Sequence, residues 1–369
     1  MIFHTTSKKP VLLIGNGARH SDALELIYKL IDKVHLPVLT SINTVDMVQD
    51  EDHIGFIGTY GNRAANMIVA ESDLVIAVGI RLGLRQIGNK KELFAPNAKL
   101  IRVDIDSAEL SRQIKDNEEK YLMDAKEFIG KLLVEDIPDY SIWNKKCKEL
   151  RDLLAEHDDT TGNKTVKKIG MYLPENPVVT VDIGQHMCWV AQSLTLKGRD
   201  GRILIGGSYG AMGIGLPYAI GASIAKKSKV FCITGDGGLQ MNIQELETVV
   251  REKLPIKILV INNHVLGKIS EVQEKTYNGR FAQTTKESGY TVPNFEKIAN
   301  AYGLKAATLG NYEELDEYSE WFSDDEPCLI DISIPWDTKL IPKIEFNTMT
   351  VKPDLPDILS VKATNILRF

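Results

Sequence analysis

Short runs of consecutive apolar residues alternate with longer stretches of helical periodicity from one end of this chain to the other. A strand that is apolar at every position, not at every second one, buries both of its faces. That happens chiefly in parallel sheets covered by helices on each side. The predicted fold class is therefore α/β. At 369 residues the chain exceeds what one hydrophobic core usually organises, so two doubly wound parallel-sheet domains are expected.

In the first half the apolar runs are 10–14, 74–78 and 100–105, with Leu24, Ile27, Tyr28 and Ile31 forming one helical stripe between them. From 134 to about 164 the composition shifts to charge (KKCKELRDLLAEHDDTTGNK). The alternation then restarts with runs at 178–183, 203–205, 230–234, 256–261 and 329–334. These features predict a first domain over 1–135, a charged linker over 136–164 and a second domain over 165–340. A proline-punctuated tail over 341–369 is expected to wrap the surface or cover a site.

A net charge of -6 and a pI near 5.8, with Lys and Arg scattered, argue against a nucleic-acid face and for small-molecule chemistry. No apolar run reaches the roughly 18 residues of a membrane-spanning helix, and the first ten residues lack the apolar core of a secretory signal. A cytoplasmic protein that binds neither nucleic acid nor membrane is expected. Cys147, Cys188, Cys232 and Cys328 are far apart with no CxxC pair, and read as reduced, buried and structural.

After the run 230–234 comes Gly235-Asp236-Gly237-Gly238, then a helical pattern with an apolar face of Leu239, Ile243, Leu246, Val249 and Val250. A glycine turn at a helix start exposes backbone N–H groups where the helix dipole favours an anion. Magnesium takes oxygen ligands and is usually held by one or two carboxylates plus phosphate oxygens. Asp236 could thus hold the metal while the glycines hold phosphates. The next apolar run ends in Asn262-Asn263, which places an amide oxygen at the carboxyl end of a neighbouring strand, where open parallel sheets bind ligands. Alone, the glycine turn could be a mere connection and the Asn pair a turn cap. Together, separated by about two dozen residues of helix and strand, they are specific.

This spacing resembles the thiamine diphosphate-binding motif. The resemblance extends to Val181-Asp182-Ile183-Gly184-Gln185-His186 with Trp189, Ala191 and Gln192, to Gly210-Ala211-Met212-Gly213-Ile214-Gly215-Leu216-Pro217, and to Met241, Asn242, Gln244, Glu245 and Leu246. In these residues the chain is similar to the large catalytic subunit of acetolactate synthase. The resemblance implies that Asp236, Asn263 and the backbone carbonyl of Val265 bind magnesium. It also implies that Gln185, His186, Gly237 and Gly238, framed by Gly184 and Gly235, contact the diphosphate. Met212 would bend the cofactor into a V, and the Gly210 carbonyl would accept from its 4'-amino group. Met212 as core filler and His186 as a satisfied structural histidine are the plainer readings.

The first half resembles the family's central domain through Gly58, Tyr60, Gly61, Ala64, Ala65 and Asn66, then 74–81 and Val103-Asp104-Ile105-Asp106. Its strand Pro10 to Ile14 followed by Gly15-Asn16-Gly17 looks like a nucleotide-binding turn, but His20 stands where GxGxxG needs glycine. In acetolactate synthases this domain holds FAD. Here Gly83-Leu84 replaces the usual pair of acids, and the Lys-Gly expected after Leu39-Thr40 is missing from Ser41-Ile42-Asn43-Thr44, so FAD is a doubtful third cofactor.

The family normally begins with a pyrimidine-binding domain that carries the glutamate protonating the cofactor's aminopyrimidine. This chain starts at the first strand of the central domain, and no acid in it is assigned to that task, so no catalytic residue is named. Proton transfer by a positioned carboxylate is worth orders of magnitude in rate. The resemblance then implies a thiamine diphosphate- and Mg-dependent 2-oxo acid decarboxylase or carboligase, a lyase or transferase that is inactive alone. It would work as a homo-oligomer or with a separate pyrimidine-domain chain, or be a piece of a longer enzyme. The alternative is a non-catalytic thiamine diphosphate-binding protein. Lys268 and Val272 stand where acetolactate synthases carry the methionine and the acceptor-selecting tryptophan, which leaves the second substrate open. Lys268 reads either as a partner for a substrate carboxylate or as a solvated surface lysine.

Overall fold

The computed structural model describes residues 6–48, 52–207, 209–343 and 355–368. The chain divides into two compact units, Met1–Asp158 with Ile341–Phe369, and Asp159–Leu340. The first contains β1 (Pro10–Ile14), β2 (Val38–Thr40), β3 (His53–Phe56), β4 (Leu74–Val78), β5 (Lys99–Asp104) and β6 (Glu118–Leu122) in the order β3-β2-β1-β4-β5-β6. The second contains β7 (Val178–Val181), β8 (Arg202–Ile205), β9 (Val230–Gly235), β10 (Ile256–Asn262), β11 (Lys305–Leu309) and β12 (Cys328–Ser333) in the order β11-β12-β10-β9-β7-β8. Every pairing is parallel. The two-domain α/β expectation holds.

The apolar runs do what their composition demands. In β1 and β4, Val11, Leu13, Val75 and Ala77 enter one core layer, while Leu12, Ile14, Ile76 and Val78 enter the layer on the opposite face. The helices Leu24–Val34 and Ala125–Val134 cover the second of these, through Ile27, Ile31, Phe128 and Leu132. β2, β3, β6 and β11 were not anticipated. β6 reads Glu-Glu-Lys-Tyr-Leu and lies partly exposed at a sheet edge. β11 is likewise an edge strand, with only Ala307 and Leu309 buried.

The charged stretch 136–164 is mostly helix. Ser141–Ala155 buries Trp143, Cys147, Leu150 and Leu154 in the first unit's core. Steps of four, three and four residues put these on one face, and the Trp143 indole donates to the Pro10 carbonyl at 3.0 Å. The charges occupy the other face, which is why composition alone suggested a linker. Of the tail 341–369, residues 344–354 and 369 lie outside the described residues. The helix Asp357–Leu367 packs Ala363 and Leu367 into the same core layer. All four cysteines are buried and none forms a disulfide.

Both sheets reverse direction of growth. The first does so between β1 and β4, the second between β7 and β9. Such switch points open crevices at the carboxyl ends of the strands. In the first unit Gly15, Gly17 and Gly79 meet there. The Gly17 N–H donates to the Gly79 carbonyl at 3.0 Å, and a Cβ on Gly79, whose φ is +59°, would lie 2.5 Å from the Ala18 nitrogen. Among the described residues no helix is long and apolar enough to cross a membrane.

Candidate functional site

The second switch point is organised by a buried carboxylate. Asp182 follows β7 directly and is 1% exposed. Its Oδ1 accepts from the backbone N–H of Ile183 (2.6 Å) and of Gly213 (2.9 Å). Its Oδ2 accepts from the Gly215 N–H (3.0 Å) and the Thr234 hydroxyl (3.4 Å). A buried carboxylate is tolerable only when hydrogen-bonded, and here the requirement ties together the end of β7, the 210–215 loop and the end of β9.

β9 ends at Gly235, and the helix Asp236–Met241 begins at the next residue. β10 lies beside β9 in parallel register with Ile261 opposite Gly235. Asn262 and Asn263 therefore emerge level with Asp236, as the spacing of the two motifs suggested. Asn262 faces away, donating to Asp331 Oδ2 at 3.2 Å. Val265 follows a turn with His264 at φ +57°.

Gly184, Gln185, His186, Gly210, Met212, Gly235, Asp236, Gly237, Gly238, Asn263 and Val265 all line one cavity. Its volume of about 170 Å³ is an order of magnitude above the ~15 Å³ that one water requires. The glycines are there for close approach. A Cβ on Gly237 would lie 2.7 Å from Leu266 Cδ2, one on Gly238 2.9 Å from Asp182 Cγ, and one on Gly184 2.6 Å from the His186 ring. Met212 is half-buried, outside the apolar core, with its methyl 3.3 Å from where a Gly237 Cβ would stand. The core-filler reading does not describe it.

Burial sets the electrostatics of the cavity. Asp236 is 4% exposed, and burial pushes its carboxyl up to about 7, although the Gly237 N–H and the Tyr290 hydroxyl, 3.3 Å from Oδ2, oppose the shift. A divalent cation beside it would hold it ionised. His186 is also buried. Desolvation lowers it to about 4 against the pull of Asp182, whose backbone oxygen accepts from the ring. Its Nε2 has no partner, and neither does the Trp189 indole nitrogen; both residues line the cavity. Unpartnered buried nitrogens in a glycine-walled cavity suit an anionic ligand. Among the described residues no three His, Cys, Asp or Glu side chains gather into a metal cage. One carboxylate, one amide and one carbonyl suit a hard cation that shares its remaining positions with phosphate oxygens and water.

Several contributors were not legible in the sequence. The expected single helix after Gly238 breaks at Asn242 (φ -132°, ψ 31°), whose amide donates to the Gly213 carbonyl at 2.7 Å. Tyr290 arrives from a segment 54 residues past Asp236. The Gln185 side chain is engaged by Glu271 and Asn263, which leaves its backbone N–H, at the first helical position, for any ligand. Lys268 is half-buried, lines the cavity and points its Nζ at Cys188 Sγ, 3.3 Å away. It is not a solvated surface lysine.

Residues 182–332 match the family model "Thiamine pyrophosphate enzyme, C-terminal TPP binding domain" and residues 5–132 match "Thiamine pyrophosphate enzyme, central domain". The chain is 33% identical over 350 residues to the acetolactate synthase large subunit of Lactococcus lactis, covering 92% of this chain and 60% of that protein. It is 34% identical over 350 residues to the isozyme 1 large subunit of Escherichia coli K12, again covering 92% and 60%. To the probable acetolactate synthase large subunit of Methanocaldococcus jannaschii it is 34% identical over 348 residues, covering 89% and 58%. The chain belongs to the thiamine pyrophosphate enzymes, with their central and C-terminal domains, and spans about 60% of the length of the curated relatives it matches.

Proposed function

We propose that this member of the thiamine pyrophosphate enzymes binds thiamine diphosphate with Mg²⁺ at the carboxyl ends of β7, β9 and β10, as part of a 2-oxo acid decarboxylase or carboligase of acetolactate synthase type. The observation that carries this reading is the β9–β10 register, which sets Asn263 beside the buried Asp236 at the mouth of a glycine-lined cavity. Asp236, the Asn263 amide oxygen and the Val265 carbonyl would hold the metal. The Gly237 and Gly238 N–H groups and the Gln185 backbone N–H would take the diphosphate. His186 would join them: a phosphate oxygen beside its unpartnered Nε2 favours the protonated ring, which then donates from that atom. Met212 would prop the cofactor from below, and Gly210 would offer its carbonyl. When bound, the cofactor supplies the carbon that adds to the substrate carbonyl and stores the electron pair released on decarboxylation.

The chain's own residues bind, orient and exclude water. Asp236 is the only carboxylate among the described residues lining the cavity, and in this reading it belongs to the metal. The acid that activates the cofactor ring would come from a further domain or a separate chain. Exposed Tyr209, Met241, Ile269 and Val272 beside the cavity residues offer such a partner, or a second copy, an apolar surface. FAD in the first unit stays doubtful, because Gly83-Leu84 stands where the family's pair of acids is expected and Ser41-Ile42-Asn43-Thr44 lacks the Lys-Gly; a flavin absorbance spectrum of the purified chain checks this.

Calorimetric titration of thiamine diphosphate, with Mg²⁺ and then with EDTA, tests the central claim. Mg-dependent binding supports it, and binding of equal strength in EDTA overturns the metal assignment. A non-catalytic role, favoured by the single lining carboxylate, predicts the same binding but no 2-oxo acid turnover when a pyrimidine-domain chain is supplied.

A further inference from the structure

We infer that Glu271 is a positioning residue for the metal, acting through two amides to turn the Asn263 oxygen toward the cation; this rests on the proposed Mg²⁺ site. Glu271 lies on the helix Gly267–Thr276, outside the residues that line the cavity. Its Oε1 accepts from Gln185 Nε2 at 2.7 Å, and Gln185 Oε1 accepts from Asn263 Nδ2 at 2.9 Å.

The chemistry of these groups allows one arrangement. A carboxylate only accepts, so Gln185 must present its NH₂ to Glu271. The Gln185 carbonyl then points the other way, and Asn263 must present its NH₂ to it. What remains of Asn263 is its carbonyl oxygen, which accepts a long 3.4 Å hydrogen bond from the Val265 N–H and keeps a lone pair of the kind a hard cation binds. An amide free to flip would offer the cavity an NH₂ group in part of its population, and an NH₂ repels a metal. Gln185 and Asn263 are both buried, so neither can satisfy a wrong orientation with solvent. The site is also built to admit the relay. A Cβ on Gly267 would overlap Gln185 Oε1 and lie 3.1 Å from Asn263 Nδ2, so this glycine leaves room for the two amides to meet.

The test is Mg²⁺ affinity, measured by calorimetric titration of Mg²⁺ into the full chain at saturating thiamine diphosphate. Glu271→Leu keeps the bulk and removes the acceptor, and is expected to weaken Mg²⁺ about tenfold, the worth of one charge-assisted hydrogen bond. Thermal stability without ligands should fall by the same amount in Glu271→Leu with and without Asn263→Asp, because Gln185 Nε2 loses its acceptor in both, and thiamine diphosphate affinity should recover at high Mg²⁺. Glu271→Gln, which preserves an acceptor but not its compulsion, should lose about threefold. Asn263→Asp supplies the control that a merely structural Glu271 would not move. A carboxylate offers the metal an oxygen in either orientation, so in that background Glu271→Leu should cost nothing further.

Unchanged Mg²⁺ affinity in both Glu271 variants overturns the inference, as does an equal loss in the Asn263→Asp background. Should Glu271→Leu fail to fold, Glu271→Gln with and without Asn263→Asp decides alone. A parent chain that binds thiamine diphosphate without needing Mg²⁺ overturns the underlying site instead, so the two failures are distinguishable.

Discussion

The two units use the same device, a six-stranded parallel sheet with a switch point, and fill it in opposite ways. In the first, glycines bring main chain against main chain, Gly17 on Gly79, and the nearby buried Asp46 is compensated by Arg19. In the second, a buried carboxylate holds the crevice open. Asp182 pins the loops around it, and Asp236 stands inside with its carboxyl pushed up by burial. Backbone packing makes a scaffold, whereas buried, imperfectly compensated charge makes a site.

The largest expected effect separates the units by ligand. Asp236→Ala should lower Mg-dependent thiamine diphosphate affinity at least about a hundredfold, since it removes the only carboxylate assigned to the metal. It should leave unfolding of the first unit untouched. Calorimetry that finds the affinity retained would break the comparison at its centre.

Next come the two organisers. Asp182→Ala orphans the buried N–H groups of Gly213 and Gly215 and the part-buried one of Ile183, and should cost the second unit about 3–5 kcal/mol. Gly79→Ala forces a side chain into the left-handed region and against Ala18, and should cost the first unit about 2–3 kcal/mol. Denaturant unfolding of single-tryptophan variants, reporting from Trp143 and Trp189, tests whether each loss stays in its own unit. Equal spread to both would show that the units do not unfold separately.

Met212→Ala should act more gently, disturbing the bound cofactor's bent conformation more than its total affinity. Circular dichroism of the bound cofactor, set beside calorimetry, measures both; losses in step would return Met212 to a packing role.

The smallest effect is in pH, because two contributions oppose each other. Half-buried His53 and buried His186 are each held down to about 4 by desolvation. Their contribution to stability is present above about 6.5 and is lost as pH falls toward 4. Asp236, raised to about 7, contributes stability that is complete below its ordinary value and lost as pH rises through 7. Acidification from 7 to 4 should therefore weaken the first unit through His53, while in the second Asp236 and Asp331, the latter raised by burial to about 6, oppose His186. Saturating Mg²⁺ and thiamine diphosphate would hold Asp236 ionised and favour protonated His186, so both contributions should shrink. A pH series of melting curves in which both units respond alike without ligand would contradict this.

The sequence alone determined the α/β class, the two sheets and, in the cavity, the Gly235 to Gly238 turn with Asp236 and Asn263, because these signals are local; Gly184, Gln185, His186, Gly210, Met212 and Val265 followed from the family resemblance. Fully apolar runs name buried parallel strands, and a glycine turn or an asparagine pair at a strand end carries its chemistry within a few residues. Edge strands such as β6 and the helix Ser141–Ala155 were hidden because charge on an exposed face outweighs a buried stripe in composition. Tertiary structure alone decided what holds the site in shape. Asp182 meets Gly213 across 31 residues, Tyr290 meets Asp236 across 54 and Glu271 meets Gln185 across 86. A carboxylate, a phenol and an amide look like ordinary surface polarity until folding removes water from around them and makes each hydrogen bond compulsory.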